Sequence, residues 1–272
     1  FNYENMCQVV ERKEFGWLLL MPGMISEFAA ELKSRQISPR GVKVCGVMAD
    51  LVPPHAIAEI TAILDAPYAN TFGATETGCP PCSSNLLPIG IPPSSLSKSQ
   101  SPFCEIKLVD AAGETVADGL PGELCMRGPT LFSGYCRETA VNAEEFRGGW
   151  FHMGDVFRRN LDGSLDFLDR VKYLIKSGGE NIYPAEIERV LLSDQRVTEA
   201  AVVKAHAAKW GEIPIAFITC RDAADSEAEL FGLCRAHLAG YKQPKGLRFL
   251  DIEDFPRSAS GKIQRHELEK LI

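Results

Sequence analysis

No stretch of this 272-residue sequence approaches the ~20 uninterrupted apolar residues that span a bilayer. The most apolar run, residues 17–24, is short and broken by Pro22, so no transmembrane segment is expected. A basic field is missing as well. The sequence has 29 Lys and Arg against 36 Asp and Glu, a formal charge of −7, with the cations scattered rather than gathered in a stripe. That distribution argues against a phosphate backbone, and nucleic acid is not an expected partner. The even, closely spaced cysteine framework of a small secreted domain is also absent. Nine cysteines spread from Cys7 to Cys234 read instead as reduced thiols in the cytoplasm. Cys79-Pro-Pro-Cys82 has half of a zinc or redox pattern, but no second pair and no nearby histidine complete it, so the spacing reads as accidental. There is no internal repeat. Nothing before Phe15 resembles a signal peptide, and the start at Phe1 without methionine reads as a fragment or as the loss of upstream residues.

What is present suffices for a sizeable core. With 45% hydrophobic and 24% charged residues, the composition suits a soluble globular protein of more than one domain. Short apolar runs at 16–21, 42–48 and 68–72 alternate with helical patterns at 26–34 and 55–64. That rhythm predicts parallel strands with crossover helices. Ser26 is placed to cap the first helix and Pro53-Pro54 to open the second. Residues 80–100 are rich in Pro, Ser and Leu without a period, whereas 103–109 and 122–126 alternate apolar and polar residues. This predicts a β-rich block, with turns at 110–113 and at Asp162-Gly163. Beyond Arg170, a helix over 184–192, strands near 197–203 and 213–219, and a helix over 226–238 predict a small α+β domain. The expected fold class is thus α/β and α+β multidomain, divided into residues 1–84, 85–170 and 171–272.

Several segments carry groups suited to chemistry. Thr71-Phe-Gly-Ala-Thr-Glu-Thr-Gly78 leaves an expected strand for a glycine-flanked turn. It sets hydroxyls and a carboxylate at a strand's C-terminal end, where open α/β sheets bind ligands. A carboxylate there suits Mg2+ beside phosphate oxygens and a threonine hydroxyl suits the phosphate itself, although an ordinary polar turn has the same composition. Gly122-Glu-Leu-Cys-Met-Arg-Gly128, Gly134-Tyr135 and Trp150-Phe-His-Met-Gly-Asp155 form an ordered series of glycine-bounded segments. Asp155 follows a glycine at a turn, where a carboxylate can accept both hydroxyls of a ribose or simply make an Asx-turn.

Leu168-Asp-Arg-Val-Lys-Tyr-Leu-Ile-Lys-Ser-Gly-Gly-Glu-Asn-Ile-Tyr-Pro-Ala-Glu-Ile-Glu188 is more specific. It resembles the hinge region of the adenylate-forming (AMP-binding) superfamily of acyl-CoA synthetases, luciferases and peptide-synthetase adenylation domains. Tyr241-Lys-Gln-Pro244 and Pro256-Arg-Ser-Ala-Ser-Gly-Lys-Ile-Gln-Arg265 resemble, in the right order, that superfamily's C-terminal motifs. The resemblance runs over nearly the whole chain. It implies the second half of a large adenylate-forming domain, with an α/β portion and a β-rich subdomain, followed by a small mobile C-terminal domain.

The implied activity is an ATP-dependent carboxylic acid:CoA ligase that forms an acyl-adenylate and then a thioester. ATP, Mg2+ and coenzyme A are the implied cofactors. The resemblance places Thr75 at the α-phosphate and Glu76 on Mg2+, and sets Phe72 and Gly73 beside the nucleotide. Asp155 and Arg170 would hold the ribose hydroxyls, and Lys262 would be the adenylation lysine. Lys172 stands at the hinge, while Ser177, Gly178, Gly179 and Trp210 border CoA. The family's Ser/Thr/Gly-rich phosphate loop occurs nowhere in this sequence, so these residues alone are not expected to bind ATP normally.

Three positions depart from the pattern. Gly46-Val-Met48 stands where a second glycine and an alanine are common, Tyr173 where an acidic residue is frequent, and Phe72 where tyrosine is commoner. The apolar segment around 47–51 and the uncharged turn 72–74 favour a fatty or aromatic acid over an amino acid. Transfer to a carrier protein, or a folded but inactive fragment, are the alternatives. A homodimer is compatible with all of them.

Overall fold

The computed structural model describes residues 2–221, 223–258 and 261–272. The chain enters through α1 (Tyr3–Arg12), which the sequence pattern does not foretell. Asn2 caps it by accepting the Asn5 amide at 2.9 Å, and Cys7 and Val10 turn inward from one face. β1 (Glu14–Phe15) then leads to α2 (Ile25–Ser34), β2 (Gly41–Val42) and α3 (Pro54–Leu64). β1 and β2 are parallel, and bridges from Leu18 to Cys45 and from Cys45 to Tyr68 continue that order, as the alternating pattern predicts. Ser26 lies inside α2 rather than capping it. A 3-10 turn at Pro22–Met24 feeds directly into the helix, with Met24 at the cap position. Pro54 does open α3, where a missing amide costs little. Phe28, Leu32, Ile57 and Ile60 bury the helices against the strands, each such side chain stabilising by roughly 1.5–3 kcal/mol.

β3 (Thr71–Phe72), β4 (Cys82–Ser83) and β5 (Ser99–Gln100) make a short antiparallel sheet. Lys98, fully buried, pins its last strand by an ion pair with Asp50 at 2.5 Å. β6 (Glu105–Val109), β7 (Pro121–Arg127), α4 (Thr139–Glu145), β8 (Phe151–Arg159) and β9 (Leu165–Arg170) come after them. The four strands form one antiparallel sheet in chain order. Both expected turns form. Asp110 accepts the amides of Ala112 and Glu114, and Asp162 accepts the Ser164 amide beside Gly163 at φ 83°.

A single 3-10 turn, Val171–Tyr173, links β9 to the C-terminal elements. These are β10 (Ile175–Ser177), β11 (Glu180–Ile182), α5 (Pro184–Leu192), β12 (Val197–Ala207), β13 (Gly211–Cys220), α6 (Ala223–His237), β14 (Gly246–Phe249) and α7 (Arg265–Leu268). Their sheet runs β11-β10-β13-β12, with β14 parallel to β13. The period of two along β12 and β13 sorts its faces. Val202, Ala216 and Ile218 face α5 and α6, whereas Ala201, Val203, Ile215 and Phe217 pack with Phe255 and Leu268 of the C-terminal segment. Among the described residues no helix is long and apolar enough to cross a membrane. All nine cysteines are free thiols.

Candidate functional site

Asp155 and Arg170 stand directly opposite one another on β8 and β9. Arg170 donates from Nε to Asp155 Oδ1 at 3.1 Å and from Nη2 to Oδ2 at 3.5 Å. β8 is irregular around this point: Gly154 takes φ 68° and the register shifts between Val156 and Phe157, an irregularity that re-aims a side chain. Asp155 is 7% exposed. Burial pushes its carboxyl above the usual range, and Arg170, then Lys262, pull it back. Lys262, 107 residues further along the sequence (262 − 155), is exposed and bears on Asp155 only through its charge.

A hairpin presents that lysine. Ser258 N–H donates to Lys262 C=O at 2.8 Å, Lys262 N–H donates to Ser258 Oγ at 3.2 Å, and Arg257 pairs with Ile263. Ala259 and Ser260, part of the motif singled out in the sequence, lie outside the described residues. The hairpin is fixed on two sides. Arg257 pairs with Glu199 of β12, and the loop rests on Pro22–Met24, where a Cβ added to Gly23 would stand 3.1 Å from Arg257 Nη1 and 3.3 Å from Gly261 O.

Thr75 and Glu76 occupy a 3-10 turn straight after β3. Thr77 Oγ1 closes it by bonding to both the amide and the carbonyl of Ala74, which leaves Thr75 exposed. Tyr135 O–H donates to Glu76 Oε1 at 3.0 Å. Burial first, then Glu76, pushes the phenol up to about 12. Among the described residues Glu76 Oε2 takes no hydrogen bond, which leaves a hard oxygen of the kind that binds Mg2+. Phe72 is buried edge to face on Phe157 at 4.7 Å, which commits its ring to the core and leaves half-buried Gly73 at the turn.

The third group lies on the sheet containing β10. Ser177 is buried, and Gly178 and Gly179 take φ 59° and 91°. Gly178 N–H donates to Trp210 C=O at 2.8 Å, and a Cβ on Gly178 would come within 2.8 Å of the indole. Only glycine permits that approach. Trp210 remains 47% exposed with Lys209 above its ring. Lys172 is exposed in the linking turn, over the ring of Tyr173.

The structure therefore joins Asp155 with Arg170 in one place, Glu76 with Tyr135 in a second, and the 177–179 loop with Trp210 in a third. Sequence reasoning missed Tyr135 as the partner of Glu76. It also missed two polar clusters that form only once distant elements pack together. In one, His152 Nδ1 meets both Cys125 Sγ at 3.2 Å and Glu123 Oε2 at 2.9 Å, the set of donors closest to a metal site. Arg147 already occupies that Glu123 oxygen at 3.0 Å, and burial raises the Cys125 thiol to about 12, so a cation has little to gain there. The other joins Asp169, Glu188 and Arg265.

Comparison with known proteins identifies the family. Residues 2–136 match the family model described as AMP-binding enzyme, and residues 186–262 the one described as AMP-binding enzyme C-terminal domain. A 2-succinylbenzoate--CoA ligase of Geobacillus sp. (strain WCH70) is 36% identical over 258 residues, 93% of this chain and 50% of that protein. Another, from Geobacillus kaustophilus, is 37% identical over 277 residues, 100% of this chain and 54% of that protein. The solved o-succinylbenzoate CoA synthetase from Bacillus subtilis, in complex with its acyl-adenylate intermediate, superposes with a TM-score of 0.77 at 29% identity. That alignment covers 99% of this chain and 54% of the other. Apo MatB from Rhodopseudomonas palustris superposes at 0.74 with 25% identity, over 100% and 53% of the two chains. The chain spans about half the length of the curated relatives it matches.

Proposed function

Because this chain belongs to the AMP-binding enzyme family, we propose that it supplies part of the site of an ATP-dependent carboxylic acid:CoA ligase. It would contribute the nucleotide-binding edge and the cap, with residues 1–84 and 85–170 as parts of the large domain and 171–272 as the small one. The observation that carries this reading is the Asp155–Arg170 pair across β8 and β9, on which the charge of Lys262 from the C-terminal hairpin acts.

In this reading Asp155, buried and aligned by Arg170, accepts the ribose hydroxyls. Thr75, exposed at the end of β3, donates to the α-phosphate. Glu76 would hold Mg2+, which would neutralise phosphate charge. Lys262 stabilises the charge that develops as a carboxylate oxygen attacks the α-phosphorus and pyrophosphate leaves. Rotation about 171–174 then withdraws Lys262 and delivers the Ser177-Gly178-Gly179 loop, along which the pantetheine arm of CoA lies against backbone, with Trp210 beside its nucleotide. The thiol attacks the acyl carbon and AMP departs. The nine free thiols support a reducing, cytoplasmic setting.

The relatives' names favour an aromatic acid of the 2-succinylbenzoate kind over a fatty acid. The test uses the longer protein carrying this chain. ATP-dependent pyrophosphate release and CoA-dependent AMP formation are measured with 2-succinylbenzoate, simpler benzoates and fatty acids of graded length. Release driven best by the succinylbenzoate supports the reading. Preference for a fatty acid overturns the substrate class, and no release with any acid overturns the ligase.

A further inference from the structure

Three buried charged groups lie where the linking turn meets the cap, and the nucleotide site uses none of them. Asp169 stands on β9, three residues before Lys172, while Glu188 on α5 and Arg265 at the start of α7 lie beyond the turn. They are 2%, 0% and 9% exposed. Asp169 Oδ2 accepts the Ala185 N–H at 2.6 Å, and Oδ1 accepts the Arg170 N–H at 2.7 Å and faces Arg265 Nη1 at 3.5 Å. Arg265 Nη2 donates to both Glu188 oxygens at 2.7 and 2.8 Å, and its guanidinium lies 4.4 Å over Tyr173. Glu188 also accepts the Val202 N–H of β12 at 2.6 Å. Glu188 and Arg265 thus belong to one body, and Asp169 reaches into it from the other side.

Helix α5 depends on that reach. Pro184 opens it, and Tyr183 at the cap position supplies no side-chain acceptor. The Ala185 amide, one of the donors a helix leaves unsatisfied at its N-terminus, is therefore capped by a residue from across the turn. The same contact is strained electrostatically, because two buried carboxylates share one guanidinium. Arg265 Nη1 is a buried nitrogen with no well-formed hydrogen bond among the described residues, and at 3.5 Å its approach to Asp169 is an ion pair only. Leaving would return the Asp169 carboxylate to water. It would relieve the carboxylate pair and keep the bidentate Arg265–Glu188 bond intact.

We propose that Asp169 is a positioning residue: a releasable cap on α5 that holds the orientation presenting Lys262, and that must let go before the thioester step. The inference rests on the reading of 171–174 as a hinge. Hydrogen exchange of this chain is compared among wild type, Asp169→Ala and Asp169→Asn, which keeps an acceptor oxygen without the charge. Exchange over 183–188 is expected to rise about tenfold or more in the alanine variant and less in the asparagine variant, with β12 and β13 unchanged. If alanine unfolds the chain, asparagine alone decides by the same comparison. Exchange within about twofold of wild type overturns the proposal.

In the longer protein, Asp169→Ala is expected to slow acyl-AMP formation about tenfold while thioester formation from supplied acyl-AMP holds or rises. Equal loss in both steps also overturns it. Should wild type release no pyrophosphate with any acid, the ligase reading fails while the exchange comparison still decides the cap.

Discussion

Lys262 is an exposed surface lysine by every local measure, and in the proposed ligase it is the hairpin carrying it that makes it chemically useful. In the longer protein, Lys262→Ala is expected to reduce acyl-AMP formation by about 10²–10³-fold, the scale of losing one preorganised charge partner. Thioester formation from supplied acyl-AMP should stay within about threefold of wild type. Single-turnover measurement of each step checks this, and parallel losses would contradict the division of labour. Glu188 tests burial. Desolvation outweighs Arg265 and pushes its carboxyl from an ordinary 4.5 to about 7. A folded-state value above the unfolded one means that the native chain holds the proton more tightly. That contribution is complete below about 4.5 and is lost as pH rises through about 7. Glu188→Gln is expected to flatten the fall in stability across this window, seen as urea midpoints at about pH 4.5 and about pH 8. An undiminished fall in the variant would remove Glu188 as its source.

The elements arise from patterns that are strong locally and from close approaches that are not. Helices over 25–34, 54–64 and 184–192 are legible from apolar spacing, to which a leading proline adds in the last two. The packing of Tyr68 across Gly46 is invisible in the sequence. Gly46 takes φ 77°, and a Cβ there would fall 2.1 Å from the Tyr68 ring, whose hydroxyl is tied to the Val47 carbonyl at 3.0 Å. Gly46→Ala is therefore expected to destabilise the chain by about 3 kcal/mol or more, combining left-handed backbone strain with overpacking. The readout is the urea midpoint at unchanged slope, and a change below about 1 kcal/mol would mean the ring moves aside freely.

At the scale of the molecule, one turn of three residues carries the chain from β9 to the cap, and the polar contacts of Asp169 span it. Proline at position 172 fixes φ and restricts Val171 before it. Lys172→Pro is expected to impair one half-reaction at least about tenfold more than the other in the longer protein. Equal impairment would show that the turn need not move.

The sequence by itself determined the alternating strand and helix order and the family to which the chain belongs, because these rest on short-range spacing, turn chemistry and an ordered series of motifs. It also made Ser177-Gly178-Gly179 and Trp210 candidates for one surface, which the β10–β13 pairing then joined. Only the tertiary structure decided which charges meet. Asp155 facing Arg170 depends on a strand register, the presentation of Lys262 depends on a hairpin anchored by Arg257 and Gly23, and Asp169 capping α5 depends on a fold across a single turn. Such contacts join residues far apart in the chain, and they are fixed by packing of the intervening elements, which no local pattern encodes.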